Sequence, residues 1–460
     1  MPAARWPRCA DVSSCPPLVR RAVRNPLLEA SIFTPDSDRD RVTVTSAFSG
    51  HPLLCVPLSS AADVCSTVDR ARCAQEAWGP APAAERTRWL MRLRGDLRAH
   101  RAWLGSVVEH AGGLGPRDRA AELRQTDKVL LHAFKALRAS VGLRQALRGA
   151  QARPAPGRYS PHRPAVISSR VHEGRPLASL LEGALPALVG GSAVVTEVDV
   201  RSAVPALAVQ ALARRAGLPR HVWQLMVSQD SERATVGDLR AVLNEHADDF
   251  APQCCLRGTS GSGKAGTRVP GLLVLRHDGC SRAAAQAAVD ACFSRAGRMC
   301  STTPLIAVHA DRQAEFVRQL VGRAARFTPE STLPGRGQLT LMRKWSATVA
   351  ASGALPLLPK SPTSGTTPPV PEPVALFDHS AWYRRLPELP PAGPVALVTT
   401  FTRWSEALAL ARHTGTHLSV FTRTRAAQLD PQFAGLPASR IGFNRASSPT
   451  PAWGGPGAHS

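Results

Sequence analysis

Lysine is nearly missing from this chain. It occurs only at positions 128, 135, 264, 344 and 360, whereas lysine and arginine together number 57 in 460 residues. The formal net charge of +23 is therefore an arginine charge. A balance of this size points towards nucleic acid or an anionic membrane. The arginines are scattered rather than gathered in a stripe, and they accompany abundant Ala, Pro and Gly, as a GC-rich coding sequence produces. Tyrosine is scarcer still, at two residues, which leaves a base-stacking surface poorly supplied. Neither a nucleic-acid nor a membrane partner is expected. No apolar run approaches about 18 residues, so no transmembrane helix is expected. The basic, Pro-containing segment 1–25 lacks the apolar stretch of a secretory signal. Ten cysteines are present, but no C-x-x-C pair, which removes the usual zinc and thioredoxin-type sites. Their irregular spacing argues against a disulfide framework. A cytoplasmic, reducing compartment follows as the default.

What is present is an ordinary globular chain with 43% hydrophobic residues, long enough for two or three domains. Residues 1–28 read as irregular. Arg41–Thr45 is β-like, and Ala61–Trp78 has helical periodicity. One long amphipathic helix is expected over 82–108 and another over 117–143, followed by a Gly/Pro/Arg-rich loop at 147–164. From 165 the pattern alternates. Strands are expected at 165–167, 193–196 and 222–227, with helices at 177–188 and 203–216 that end at Gly190-Gly191 and at Gly217 and Pro219. Such alternation predicts a parallel sheet in an open α/β domain. Helix, strand and helix recur over 281–324. Residues 351–374 read as a Pro/Ser/Thr-rich exposed linker. A last β/α/β unit covers 395–398, 404–412 and 418–421.

Ala291-Cys-Phe-Ser-Arg-Ala-Gly-Arg-Met-Cys300 carries the chemistry. It places the Cys300 thiol three residues after Gly297, behind an Ala-rich helix and ahead of a strand. A thiol presented from a tight glycine turn can be approached by a carbonyl, and the turn amides can face a developing oxyanion. The competing reading makes Cys300 a small buried hydrophobe. Arg295 and Arg298 could lower the thiol pKa if they pointed inward; the expectation is that both are solvated. Gly258-Thr-Ser-Gly-Ser-Gly-Lys-Ala265 approaches a P-loop, but Ala265 lacks the magnesium-binding hydroxyl, and Gly266, Pro270 and Gly271 interrupt any following helix. His172 and His277 have no metal-ligand spacing and read as surface or internally satisfied residues; no metal is expected. Asp248-Asp249 reads as a solvated loop.

Phe293, Gly297 and Cys300 resemble the aldehyde dehydrogenase nucleophile motif F-x-N-x-G-Q-x-C, with Arg295 and Arg298 where Asn and Gln are usual. Further pieces of that family follow in order: Phe48-Ser-Gly-His-Pro-Leu53, Ala71–Trp78, Leu185–Val195 (like "PALAAGNAVV"), Ala216-Gly-Leu-Pro219, Gly393-Pro-Val395, Ser419-Val-Phe-Thr422 and Trp453-Gly-Gly455. The succinate-semialdehyde type is most similar. The resemblance implies an α/β, aldehyde dehydrogenase-like fold with a Rossmann-like cofactor domain over 29–271 and an α/β catalytic domain over 272–435. A truncated C-terminal or oligomerisation segment covers 436–460, so a homo-oligomer, if formed, is weakened. It also implies NAD or NADP as cofactor, a small-molecule aldehyde as substrate, and oxidation to the acid through a Cys300 thiohemiacetal.

The departures matter equally. Gly174 stands where the family's oxyanion-hole Asn is found. The general-base Glu position counts to Gly266, and no Glu occurs between Glu245 and Glu315. Glu197 replaces the Lys that binds the adenosine ribose or its 2′-phosphate. Pro390 and Ala392 replace the Glu and Phe of "E-x-F-G-P". In the family frame, Gly258 and Gly261 belong to the remnant of the dinucleotide loop; a flexible Gly/Ser linker is the competing reading. Two functions stay open: a weakened dehydrogenase, or an inactive relative that serves as a binding or interaction protein.

Overall fold

A computed structural model of the protein describes residues 41–147, 165–167, 174–228, 271–299, 302–332, 336–358, 375–378, 393–413, 417–424, 433, 436 and 440–446. The chain divides into two compact units. One falls within Met1–Gly112 and Arg119–Gly266, and the other within Gly113–Asp118 and Thr267–Pro449. Of the loop expected at 147–164, residues 148–164 lie outside the described residues, as do most of 359–392. No described helix is long and apolar enough to cross a membrane.

The first unit opens with β1 (Arg41–Thr45) antiparallel to β2 (Pro52–Pro57). Helix α1 (Ala61–Trp78) starts at a capping box in which Ser60 and Asp63 satisfy each other's amides. The expected long helix is two helices, α2 (Ala83–Ala99) and α3 (Arg101–His110). His100 separates them: its ring lies 2.8 Å from the Asp96 carbonyl oxygen, and its φ/ψ leave the helical region. Helix α4 spans Pro116–Leu147.

Strands β3 (Ala165–Ile167), β4 (Val194–Asp199) and β5 (Trp223–Ser228) form a parallel sheet in that order. Its partners are α5 (Pro176–Gly190) and α6 (Val200–Arg215), whose leucines, valines and alanines are almost wholly buried. Gly191 closes α5 at φ 97°, a left-handed cap that suits glycine. Trp78 and Trp89 meet edge to face at 5.9 Å, and their indole N–H groups donate to the Leu188 and Ala213 carbonyls. Gln75 donates to the Gly191 carbonyl and accepts from the Ala193 amide, tying α1 to the α5–β4 turn.

The second unit holds a sheet ordered β12-β11-β6-β7-β10-β9-β8 among the described residues. Its strands are β6 (Leu272–Leu275), β7 (Leu305–His309), β8 (Leu355–Pro356), β9 (Ala375–Asp378), β10 (Val395–Phe401), β11 (His417–Phe421) and β12 (Arg440–Phe443). All ladders are parallel except β8 with β9. Leu272, Val274, Leu305, Val395 and Leu397 face one core with helices α9 (Arg336–Ala351) and α10 (Trp404–His413). Leu273, Leu275, Ile306, Ala396 and Val398 face the other, with α7 (Ser281–Phe293) and α8 (Gln313–Ala324). Burial on both faces explains why these strands read as unbroken apolar runs rather than alternating ones.

Two segments differ from expectation. The linker reading at 351–374 gives way at its start, where Leu355–Pro356 pair with Phe377 and Asp378 as an edge strand. Arg440–Phe443, expected within a separate terminal segment, pair with β11 in the main sheet.

Candidate active site

Helix α7 is Ala-rich because it lies close against the sheet, with Ala284, Ala285 and Ala288 fully buried. It stops at Phe293, Ser294 is extended, and the next three residues are left-handed: Arg295 and Ala296 at φ 53° and Gly297 at φ 64°. For non-glycine residues this conformation costs about 1–2 kcal/mol each, so local partners must hold it.

Those partners are present within the second unit. The Arg295 amide donates to Asp118 Oδ2 at 3.0 Å. Arg298 donates from its amide and from Nε to the Arg295 carbonyl, and from Nη2 to the Gly113 carbonyl at 3.2 Å. Ser331 donates to Asp118 Oδ2 at 2.6 Å and accepts from the Gly115 amide at 3.0 Å. Thr332 donates to the Gly113 carbonyl at 2.9 Å. The segment Gly113–Asp118 is thus a strap across the turn. Gly297 is packed so closely that a Cβ there would overlap the Gly393 carbonyl oxygen.

The arginines were expected in solvent, yet both are buried, Arg295 at 6% and Arg298 at 3% exposure. The correction has a physical cause: Arg298 finds backbone carbonyls inside the fold, so its charge is not stripped of hydrogen bonds.

Cys300 itself lies outside the described residues, as do Gly258, Gly261, Gly266, His172, Asp248, Asp249, Pro390 and Ala392. The chain is described up to Met299 and again from Thr302. Thr302 and Thr303 are buried, and neither hydroxyl has a hydrogen-bond partner among the described residues. Cys292, eight positions earlier, is a different kind of thiol. Burial pushes its pKa far up, opposed in small part by the Thr303 side chain, and its thiol donates to the Thr303 carbonyl oxygen at 3.0 Å, so it stays protonated.

In the first unit Gly174 is buried and offers no side-chain donor. Beside it Arg175 pairs with Glu182 at 2.5 Å and donates to Gln125. Glu122, fully buried, accepts from the Leu177 and Ala178 amides at 3.0 and 2.8 Å and so caps α5. Sequence reasoning passed over Glu122 and Asp118 because their partners lie 55 or more positions away in the chain; Arg175 carries no local mark of burial. Glu197 sits on β4 opposite Met226, two residues before Asp199 caps α6. His277 is exposed, 5.5 Å from the His309 ring, in keeping with a surface role.

Residues 33–239 match the aldehyde dehydrogenase family. That stretch, a little under half of the chain, is similar to an aldehyde dehydrogenase domain. A relative from Mycobacterium tuberculosis, strain H37Rv, named "putative succinate-semialdehyde dehydrogenase (NADP+) 2", is 28% identical over 296 residues, 60% of this chain and 54% of the relative. The matched stretch therefore spans about half the length of that relative. Among solved structures, the aldehyde dehydrogenase KauB from Pseudomonas aeruginosa aligns with TM-score 0.74 at 19% identity, covering 91% of this chain and 88% of that one. The NADP-dependent glyceraldehyde-3-phosphate dehydrogenase from Bacillus halodurans C-125, solved with NADP, gives 0.68 at 16%, covering 90% and 89%. The fold of this chain is the aldehyde dehydrogenase fold.

Proposed function

We propose that the protein is an NAD(P)+-dependent aldehyde dehydrogenase of weakened activity, oxidising a small aldehyde, with succinic semialdehyde the first candidate. Its nucleophile is Cys300. The observation that carries this reading is the turn Arg295–Gly297: a strained left-handed segment, held by Asp118 and packed on Gly393, leading into the motif cysteine. Strain retained at such a place fits a functional constraint. The family domain and the fold support the same reading.

In this scheme the Cys300 thiolate adds to the aldehyde carbon and forms a thiohemiacetal. The chemistry that a bound NAD(P)+ would supply here is acceptance of the hydride. Water then cleaves the resulting thioester to release the acid and free the thiol, so that aldehyde, NAD(P)+ and water give acid, NAD(P)H and a proton. The first unit is assigned the cofactor and the second the thiol. The β4 carboxylate, Glu197, suits a ribose, whose hydroxyls it can accept, and opposes a 2′-phosphate. Gly258 and Gly261 are proposed to line the dinucleotide loop. The compartment is proposed to be the cytoplasm, and any homo-oligomer a weak one.

The weakness follows from two positions. Gly174 supplies no side-chain donor to the oxyanion, a loss of about 2.7–4 kcal/mol. Gly266 supplies no base for thioester hydrolysis, a loss of about 10²–10⁴-fold. These same departures support the second reading, an inactive relative acting through binding. Incubating the full chain with succinic semialdehyde and either NAD+ or NADP+ separates the two. NAD(P)H that appears with the wild type and vanishes in Cys300→Ala supports the enzyme; absence of cofactor binding by calorimetry rejects it.

A further inference from the structure

We propose that Asp118 is a positioning residue for Cys300, acting through the turn Arg295–Gly297; this rests on Cys300 being the nucleophile. Asp118 lies in the first turn of α4, where a carboxylate ordinarily favours its own helix amides. Here Oδ2 instead accepts the amide of Arg295, 177 positions along the chain, at 3.0 Å. The same oxygen accepts the Ser331 hydroxyl at 2.6 Å, and Ser331 in turn accepts from Gly115 at 3.0 Å. One carboxylate oxygen thus fastens the first left-handed residue of the turn to the strap and to the 331–332 segment.

The placing of this contact gives it consequence. Arg295 is the residue at which the backbone leaves ordinary φ/ψ space, and its amide fixes the plane from which Ala296 and Gly297 continue. Arg298 repeats the clamp three residues later, joining the Arg295 carbonyl to the Gly113 carbonyl. Without Asp118 the left-handed pair keeps its cost and loses an acceptor, so the turn relaxes towards ordinary conformations. A displacement of about 1 Å at a reacting group costs on the order of 10²-fold. Asp118 touches neither substrate nor cofactor in this account; it sets where the thiol stands.

The test compares wild type, Asp118→Ala, Asp118→Asn and Ser331→Ala as full chains. Two rates are followed: NAD(P)H formation from succinic semialdehyde, and alkylation of Cys300 by iodoacetamide, read by mass spectrometry of its peptide. Asp118→Ala is expected to lower both about tenfold or more, with cofactor Kd and circular dichroism unchanged. Asp118→Asn, which keeps an acceptor oxygen, is expected to recover most of the loss. Ser331→Ala is expected between them, and it stands in if Asp118→Ala does not fold. Wild-type alkylation in Asp118→Ala or in Ser331→Ala, or Asp118→Asn as slow as Asp118→Ala, overturns the proposal. A wild type that makes no NAD(P)H while the alkylation ranking holds rejects the dehydrogenase reading and leaves the positioning role standing.

Discussion

Gly297 and Gly393 meet backbone to backbone. A Cβ on Gly297 would overlap the Gly393 carbonyl oxygen, and a Cβ on Gly393 would lie 2.9 Å from the Met342 sulfur. Two short motifs, nearly a hundred residues apart in sequence, are pressed together with room for hydrogen only. Gly297 also sits at φ 64°, so its glycine is required twice, by conformation and by space.

Gly297→Ala should therefore be among the most damaging small substitutions in the chain. Left-handed backbone costs about 1–2 kcal/mol for a non-glycine residue, and the overlap adds strain of similar size. Urea unfolding should show a loss of about 2 kcal/mol or more. Wild-type stability would contradict the contact.

Cys292 should be silent towards alkylation in the native protein. Burial holds its thiol protonated well above pH 9. Exposed Cys73 and Cys280 should react with iodoacetamide between pH 7 and 9, and Cys292 only after unfolding in urea. Modification of Cys292 in the folded protein at pH 8 would show that the site is open.

Glu406 should make stability depend on acid pH. Hydrogen bonds from the Thr402 amide and then the Arg403 amide, at the start of α10, lower its pKa from 4.5 to about 2. The folded pKa is depressed, so the stabilisation is complete above about 4.5 and is lost as pH falls towards about 2. Glu406→Gln should be less stable than wild type at pH 7, and the gap should narrow in urea titrations at pH 4 and pH 3. A gap independent of pH would remove the carboxylate from the explanation.

Glu122→Ala should destabilise the first unit. It removes the carboxylate that satisfies the Leu177 and Ala178 amides at the buried start of α5. Loss of such a cap costs about 1–2 kcal/mol, and thermal unfolding should show a lower Tm. An unchanged Tm would mean that water or another group replaces it.

The fold was largely legible where a single element carries its own signal. Ala61–Trp78 announces itself by periodicity, and α5 by a stretch of apolar residues ended at Gly190-Gly191. The miss at His100 came from one ring competing for the Asp96 carbonyl, which hydrophobic period cannot register. Strand β6 and helix α9 went unread although each follows a Pro-Gly pair, Pro270-Gly271 and Pro334-Gly335, because a turn signal marks a boundary without fixing which element comes after it. At the site, Gly297 was legible as a turn glycine, but its reason, Gly393, was not. Asp118 looked like any acid near a helix start, and Arg295 and Arg298 looked solvated, because nothing local distinguishes a buried guanidinium from an exposed one.

Sequence by itself determined the alternation of helices and strands, the order of the family motifs, and which side chains are absent at positions 174 and 266. These are properties of residue identity and spacing, and no packing can restore a carboxylate or an amide that the chain does not encode. Tertiary structure decided which of the remaining groups meet. It brought Asp118 to the Arg295 amide, buried Arg298 against Gly113, and left Gly297 no space for a side chain. Such contacts join residues many tens of positions apart, and they form only when the sheet of the second unit has folded around both of its cores.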